Sequence, residues 1–187
     1  MNTTIQLLNY KSIFEIVKKA VQLGAFHISL LNFLPHYQWT ACMKEVAVNP
    51  IDMVDELEKS MEYMEGKTLF TLRYFPMCLL KPKFWKYVTN AKFVLVDPWE
   101  WEYGHAGLPT EVIWNHMCNN GNITGIKGKP CDTCLLKPHC GGWNAVYANA
   151  FKLEELKAIK SVPAELVPFL GKRGGLFDLN PANKGIV

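Results

Sequence analysis

Three thiols fall within ten residues in Cys131-Asp-Thr-Cys134-Leu-Leu-Lys-Pro-His-Cys140, and Gly141-Gly142 follows at once. A Cys-x2-Cys turn brings two thiolates to one centre from a tight loop, and Pro138 closes the short excursion that returns the third. Thiols this close chelate a metal or cross-link. The chain carries six cysteines, the others being Cys42, Cys78 and Cys118. Its first thirty residues lack the basic-apolar-small order of a secretory signal, so a reducing, cytoplasmic setting is expected, where clustered cysteines bind metal more often than they pair. Three thiolates leave one position of a tetrahedral or cubane site open. Zinc would complete it with His139, His116 or a distant cysteine, whereas an iron–sulfur cluster would take a fourth cysteine, Cys78 or Cys118. Zinc arrangements commonly repeat the Cys-x2-Cys element, which occurs once here, and that favours iron–sulfur.

The elements that must position these thiols read as alternating strand and helix. Ile5 to Leu8 reads as the end of a first strand. Ser12 and Glu15 fit a capping box, and Ile13, Ile16, Val17, Ala20 and Val21 recur at helical spacing until Gly24. Phe26 to Phe33 is a β-rich apolar run. From Asp52 a second helix carries the apolar stripe Val54, Leu57, Met61 and Met64. Its methionines read as core filler and its acidic residues as a solvated face. Thr68 to Phe75 is a third strand. Strand-helix-strand-helix-strand order implies an α/β fold with parallel strands joined by right-handed crossovers.

In such sheets ligands gather beyond the carboxyl ends of the strands. Asn32 and His36 stand there after the second strand, and Arg73 near the end of the third, where a guanidinium can pair with a carboxylate or phosphate. Cys78 falls on the same rim. The bland alternatives are polar groups that satisfy backbone for Asn32 and His36, and a structural ion pair for Arg73. Beyond Cys78 the alternation breaks down. Lys81 to Thr89 reads as a short helix, Lys92 to Asp97 as a fourth strand, Thr110 to Asn119 as a helix carrying His116 and Cys118, and Tyr147 to Ile159 as a final helix. The remainder reads as loop or loosely docked extension.

Composition sets the outer limits. A chain of 187 residues, 49% of them hydrophobic, can bury one core. A net charge of +3 from dispersed lysines and arginines is no nucleic-acid footprint. No stretch approaches the roughly 20 apolar residues of a membrane span.

With Leu31-Asn-Phe-Leu-Pro35 and Arg73-Tyr-Phe-Pro-Met-Cys78 ahead of it, the knuckle resembles the carboxyl-terminal part of radical SAM proteins that carry an auxiliary iron–sulfur cluster after the barrel. Cys131-x2-Cys134-x5-Cys140, ahead of a glycine pair and a helix, looks like the three-cysteine core of a SPASM or twitch extension. The resemblance implies that residues 1–80 are the last strands of a partial TIM-type barrel, residues 81–160 the cluster-bearing extension and residues 161–187 a tail. It also implies an auxiliary [4Fe–4S] cluster on Cys131, Cys134, Cys140 and a fourth cysteine, with Asn32, His36 and Arg73 lining a cavity for S-adenosylmethionine or substrate. Cys78 is the preferred fourth ligand, because a strand's carboxyl end would aim the cluster at that cavity. Cys118 competes with it, and Cys42 reads as an ordinary loop thiol.

Two departures qualify the resemblance. Asn144 stands in the region where a SPASM extension has a further cysteine, so one auxiliary cluster of the twitch type is expected. The Cys-x3-Cys-x2-Cys motif that holds the family's catalytic cluster does not occur in the chain. The expectation is therefore a fragment, a relic, or half of a split enzyme whose second chain carries the catalytic cluster. Two other classes compete: a zinc-stabilised interaction module presenting Trp99 to Tyr103 to a partner, and an accessory electron-transfer subunit that docks through an unpaired sheet edge. None of these readings identifies a substrate.

Overall fold

Asn2–Ile5 (β1), His27–Asn32 (β2), Leu69–Arg73 (β3) and Val88–Thr89 (β4) form one parallel sheet in the order β1-β2-β3-β4. The computed structural model describes residues 1–33, 42–89, 127–137, 140, 142–143, 145–151 and 156–169. Its α-helices are Ile13–Gln22 (α1), Met43–Val46 (α2), Val54–Met64 (α3) and Ala145–Ala150 (α4). The expected α/β order with parallel strands is thus present. Each strand pairs with its predecessor, so every crossover steps in one direction, and crossovers of one hand then lay their helices on one face. The contact between α1 and α3 agrees with this single winding.

The side chains explain the layering. Ile28, Leu30, Phe70 and Leu72 alternate along β2 and β3, and they share a core with Ile13 and Val17 of α1 and with Leu57, Met61 and Met64 of α3. The methionines are core filler, as their spacing predicts. The acidic face of α3 is not wholly solvated, however. Glu58 is buried, accepting the Lys81 backbone N–H at 2.7 Å and pairing with Lys81 Nζ at 2.7 Å. A carboxylate can be buried there because a cation and an amide both meet it.

Several boundaries differ from the sequence reading. The first strand ends at Ile5 rather than running to Leu8. Asn9 closes the turn, its Oδ1 accepting from Gln6 N–H at 2.8 Å and its Nδ2 donating to Thr4 O at 2.9 Å, and Leu8 is left exposed. Ser12 forms no side-chain cap, because α1 is entered through a 3₁₀ turn at Tyr10–Ser12. Residues 81–89 are not an α-helix but a 3₁₀ segment, Pro82–Tyr87, leading into β4, and the strand expected at 92–97 lies outside the described residues. The tail is docked where it is described, since Ala164–Phe169 is a 3₁₀ helix with Leu166 buried in the main core.

The other face of the sheet is polar. Thr71 Oγ1 donates to Ser29 Oγ at 3.4 Å and lies 3.3 Å from His27 Nε2. Burial holds the His27 imidazole below its ordinary pKa of 6.5, and the positive charges of the Met1 ammonium and Arg73 lower it further. The unfolded chain therefore binds this proton more readily than the folded one. The stability contributed by the neutral ring is present above the unfolded value and is lost as the pH falls below it. Urea midpoints followed from about pH 7.5 down to about pH 5 should fall more steeply for the wild type than for His27→Gln. Parallel curves would exclude His27 as a contributor.

Candidate metal centre

β3 ends at a bend that sets the position of the first thiol. Tyr74 takes a φ of 60°, a left-handed conformation that costs a non-glycine residue about 1–2 kcal/mol. Beyond Pro76, Cys78 lies in the 3₁₀ turn Met77–Leu79. The other thiols come from a second 3₁₀ segment, Lys129–Thr133, with Pro130 in its first turn. Cys134 N–H donates to Cys131 O at 3.2 Å, Lys137 N–H to Cys134 O at 3.1 Å and Cys140 N–H to Leu136 O at 2.8 Å, so the knuckle is wound as consecutive tight turns. Leu136 anchors it in the main core, and a Lys137 Nζ to Asp132 pair at 2.9 Å closes its outer side.

These turns bring the two separated sequences together. Burial first, and then charge on Cys140, Cys131 and Cys134, pushes the Cys78 thiol up to about 11. Cys131 is raised for the same reasons, by burial first and then by Cys140 and Cys134. The four thiols are thus electrostatic neighbours, and all five described cysteines are free of disulfides. Among the described residues no group of three or more His, Cys, Asp or Glu side chains is placed so as to hold a metal ion. Backbone N–H groups of Gly142 and Ile159 donate to Cys140 and Cys134, both at 3.4 Å, and the backbone amides of Lys157 and Gly128 favour the charged forms of Cys78 and Cys131. Such donors favour thiolate over thiol.

The site lies on a seam. Cys134 and Cys140 pack against the main core, while Cys78 and Cys131 pack against a second apolar cluster built from Met43, Ala47, Trp143, Tyr147 and Leu156. Within that cluster the Trp143 indole N–H is buried with no hydrogen-bond partner among the described residues. A donor stranded in this way costs about 1–3 kcal/mol.

The remaining expected site residues are distributed unevenly. Asn32 is buried, its Nδ2 donating to Tyr74 O and its Oδ1 accepting from Tyr147 Oη, both at 3.2 Å. It therefore joins β2 to the bend before Cys78 and to α4 beyond the knuckle. Arg73 pairs in register with Leu31, so it faces the polar side of the sheet with His27, and Asn32 faces the opposite side. The structure does not bring Asn32 and Arg73 to one surface. His36, His116, Cys118 and His139 lie outside the described residues.

One element was misread from sequence. The periodicity over 147–159 predicts a helix, but α4 ends at Ala150, and residues 156–160 instead run as a non-helical segment across the thiols. Nothing in the amphipathic pattern marks this change, because the segment's contribution to the site is made by backbone amides. The chain matches no protein-family model, no curated protein and no solved structure. No helix among the described residues is long and apolar enough to cross a membrane.

Proposed function

We propose that the chain is the carboxyl-terminal portion of a radical SAM enzyme, with Cys78, Cys131, Cys134 and Cys140 holding an auxiliary [4Fe–4S] cluster in the cytoplasm. The observation that carries this reading is that Cys78 and Cys131 of the knuckle pack on one apolar cluster, while Cys134 and Cys140 each receive a backbone N–H at 3.4 Å. Amide donors to cysteinyl sulfur tune iron–sulfur clusters. Four thiols from two segments whose charges act on one another suit a cluster, which binds each thiolate to a different iron. The unpartnered Trp143 N–H, in the apolar cluster that also packs Cys78 and Cys131, could meet an acceptor sulfur.

When bound, the cluster supplies a one-electron store or a contact for substrate beside the barrel. The chain's own share is to hold the thiolates, exclude water through the two apolar clusters and orient the polar sheet face. The singly wound parallel sheet supports the barrel half of the reading. In this reading Arg73 and His36 face S-adenosylmethionine or substrate, and Asn32 holds the extension against the barrel. A second chain would contribute the catalytic cluster.

Anaerobic purification with iron, sulfide and zinc analysis, absorption spectroscopy and electron paramagnetic resonance tests the metal. The expected result is stoichiometric iron and sulfide in the wild type and their loss in Cys131→Ala. Stoichiometric zinc without iron would replace the cluster by the zinc-stabilised module. Calorimetric titration of S-adenosylmethionine into the wild type and Arg73→Ala tests the second half, and an absence of binding to the wild type would remove the cofactor from this chain.

A further inference from the structure

Two sequence-distant segments supply the thiols, and residues 156–160 connect them. Leu156 is buried in the second apolar cluster, and Ile159 packs against the main core. Between them, Ile159 donates its backbone N–H to Cys134 at 3.4 Å, and the Lys157 backbone amide, next to the Leu156 that shares a cluster with Cys78, favours the charged form of that thiol. The segment is in turn fixed to the knuckle, since Leu135 N–H donates to Ile159 O at 2.9 Å, and Lys160 Nζ reaches Thr133 Oγ1 at 2.6 Å and Thr133 O at 3.3 Å. Gly142 serves a thiol of its own loop. Residues 156–160 instead reach both sides, through Leu156 in the cluster that packs Cys78 and through the Ile159 N–H to Cys134.

We propose that residues 156–160 are a positioning strap that closes the knuckle onto Cys78 and sets the reduction potential of the group held there. The inference rests on the iron–sulfur reading above. An N–H aimed at a cysteinyl sulfur stabilises the more negative, reduced cluster and so raises its potential. The positive charges of Lys157 and Lys160 act in the same direction. The amides of Lys157 and Ile159 are positioning groups, and their effect can be separated from that of their side chains.

The test reconstitutes the full chain with iron and sulfide and titrates it redox-metrically under electron paramagnetic resonance. Ile159→Pro and Lys157→Pro each delete one N–H, while Ile159→Val and Lys157→Ala keep it. Each proline variant is expected to lower the potential, changing the reduced-to-oxidised ratio at fixed potential about tenfold, which is about 59 mV for one electron. Ile159→Val should match the wild type, and Lys157→Ala should move less than Lys157→Pro. Proline variants that hold the cluster at the wild-type potential would overturn the inference. Because proline can also unfold the strap, Lys160→Met provides a second readout: it removes only the exposed tether and should release metal to a chelator several-fold faster. Equal release rates would overturn the closing role. A wild-type chain that binds no iron would sink the iron–sulfur reading, and the potential-setting role with it. If it holds zinc instead, the chelator comparison still decides the closing role.

Discussion

Cys78→Ala is expected to leave the anaerobically purified chain nearly without iron and sulfide, while Cys42→Ala retains the full complement. Cys78 lies far from the knuckle in sequence, yet burial first, and then charge on the knuckle's cysteines, raises its thiol. An alanine there leaves an apolar gap where a ligand should be, and packing against the second cluster gives water little means of replacing it. Loss of an outer-shell partner already costs metal affinity about 10- to 100-fold, and loss of a direct ligand should cost more. The measurement is iron and sulfide per chain, beside the charge-transfer absorption of the bound group. Cys118→Ala is the decisive comparison. An intact cluster after Cys78→Ala, combined with loss after Cys118→Ala, would transfer the fourth position to Cys118.

The parts of this molecule that were legible in the sequence are those governed by periodicity. The stripe Val54, Leu57, Met61 and Met64 located α3 because a helix burying one face must repeat at that spacing, and the βαβαβ order implied parallel pairing. The knuckle's cysteines stood out as candidate ligands because thiolate spacing is itself a chemical constraint. Elements built from backbone hydrogen bonds were not legible. The turn at Asn9, the left-handed Tyr74 and the strap at 156–160 owe their shapes to amides and carbonyls that every residue type possesses. Asn32 marks the boundary between the two cases. Its position at a strand's carboxyl end was readable, but its partners were not, since Tyr147 lies 115 residues away.

Asn32→Ala should lower stability by about 1–3 kcal/mol, because it strands a buried hydroxyl. Tyr147 Oη would lose its acceptor inside the second apolar cluster, and the Asn32 tie to Tyr74 O would be lost at a bend that is already strained. Each unsatisfied buried group costs about 1–3 kcal/mol. Tyr147→Phe removes the hydroxyl and leaves Asn32 still bonded to Tyr74, so it should cost about 1 kcal/mol, and the double variant should cost less than the sum of the two. The measurement is a double-mutant cycle by urea unfolding of the full chain. The clamp also stands between the bend before Cys78 and the helix after Cys140, so Asn32→Ala should loosen metal retention while Tyr147→Phe has the smaller effect. If Asn32 instead contacts S-adenosylmethionine or substrate and contributes little to the fold, Asn32→Ala will unfold at the wild-type urea concentration and alter only ligand binding. Coupling between Asn32 and Tyr147 is the signature that separates these outcomes, since a ligand contact has no reason to depend on a hydroxyl buried beneath the knuckle.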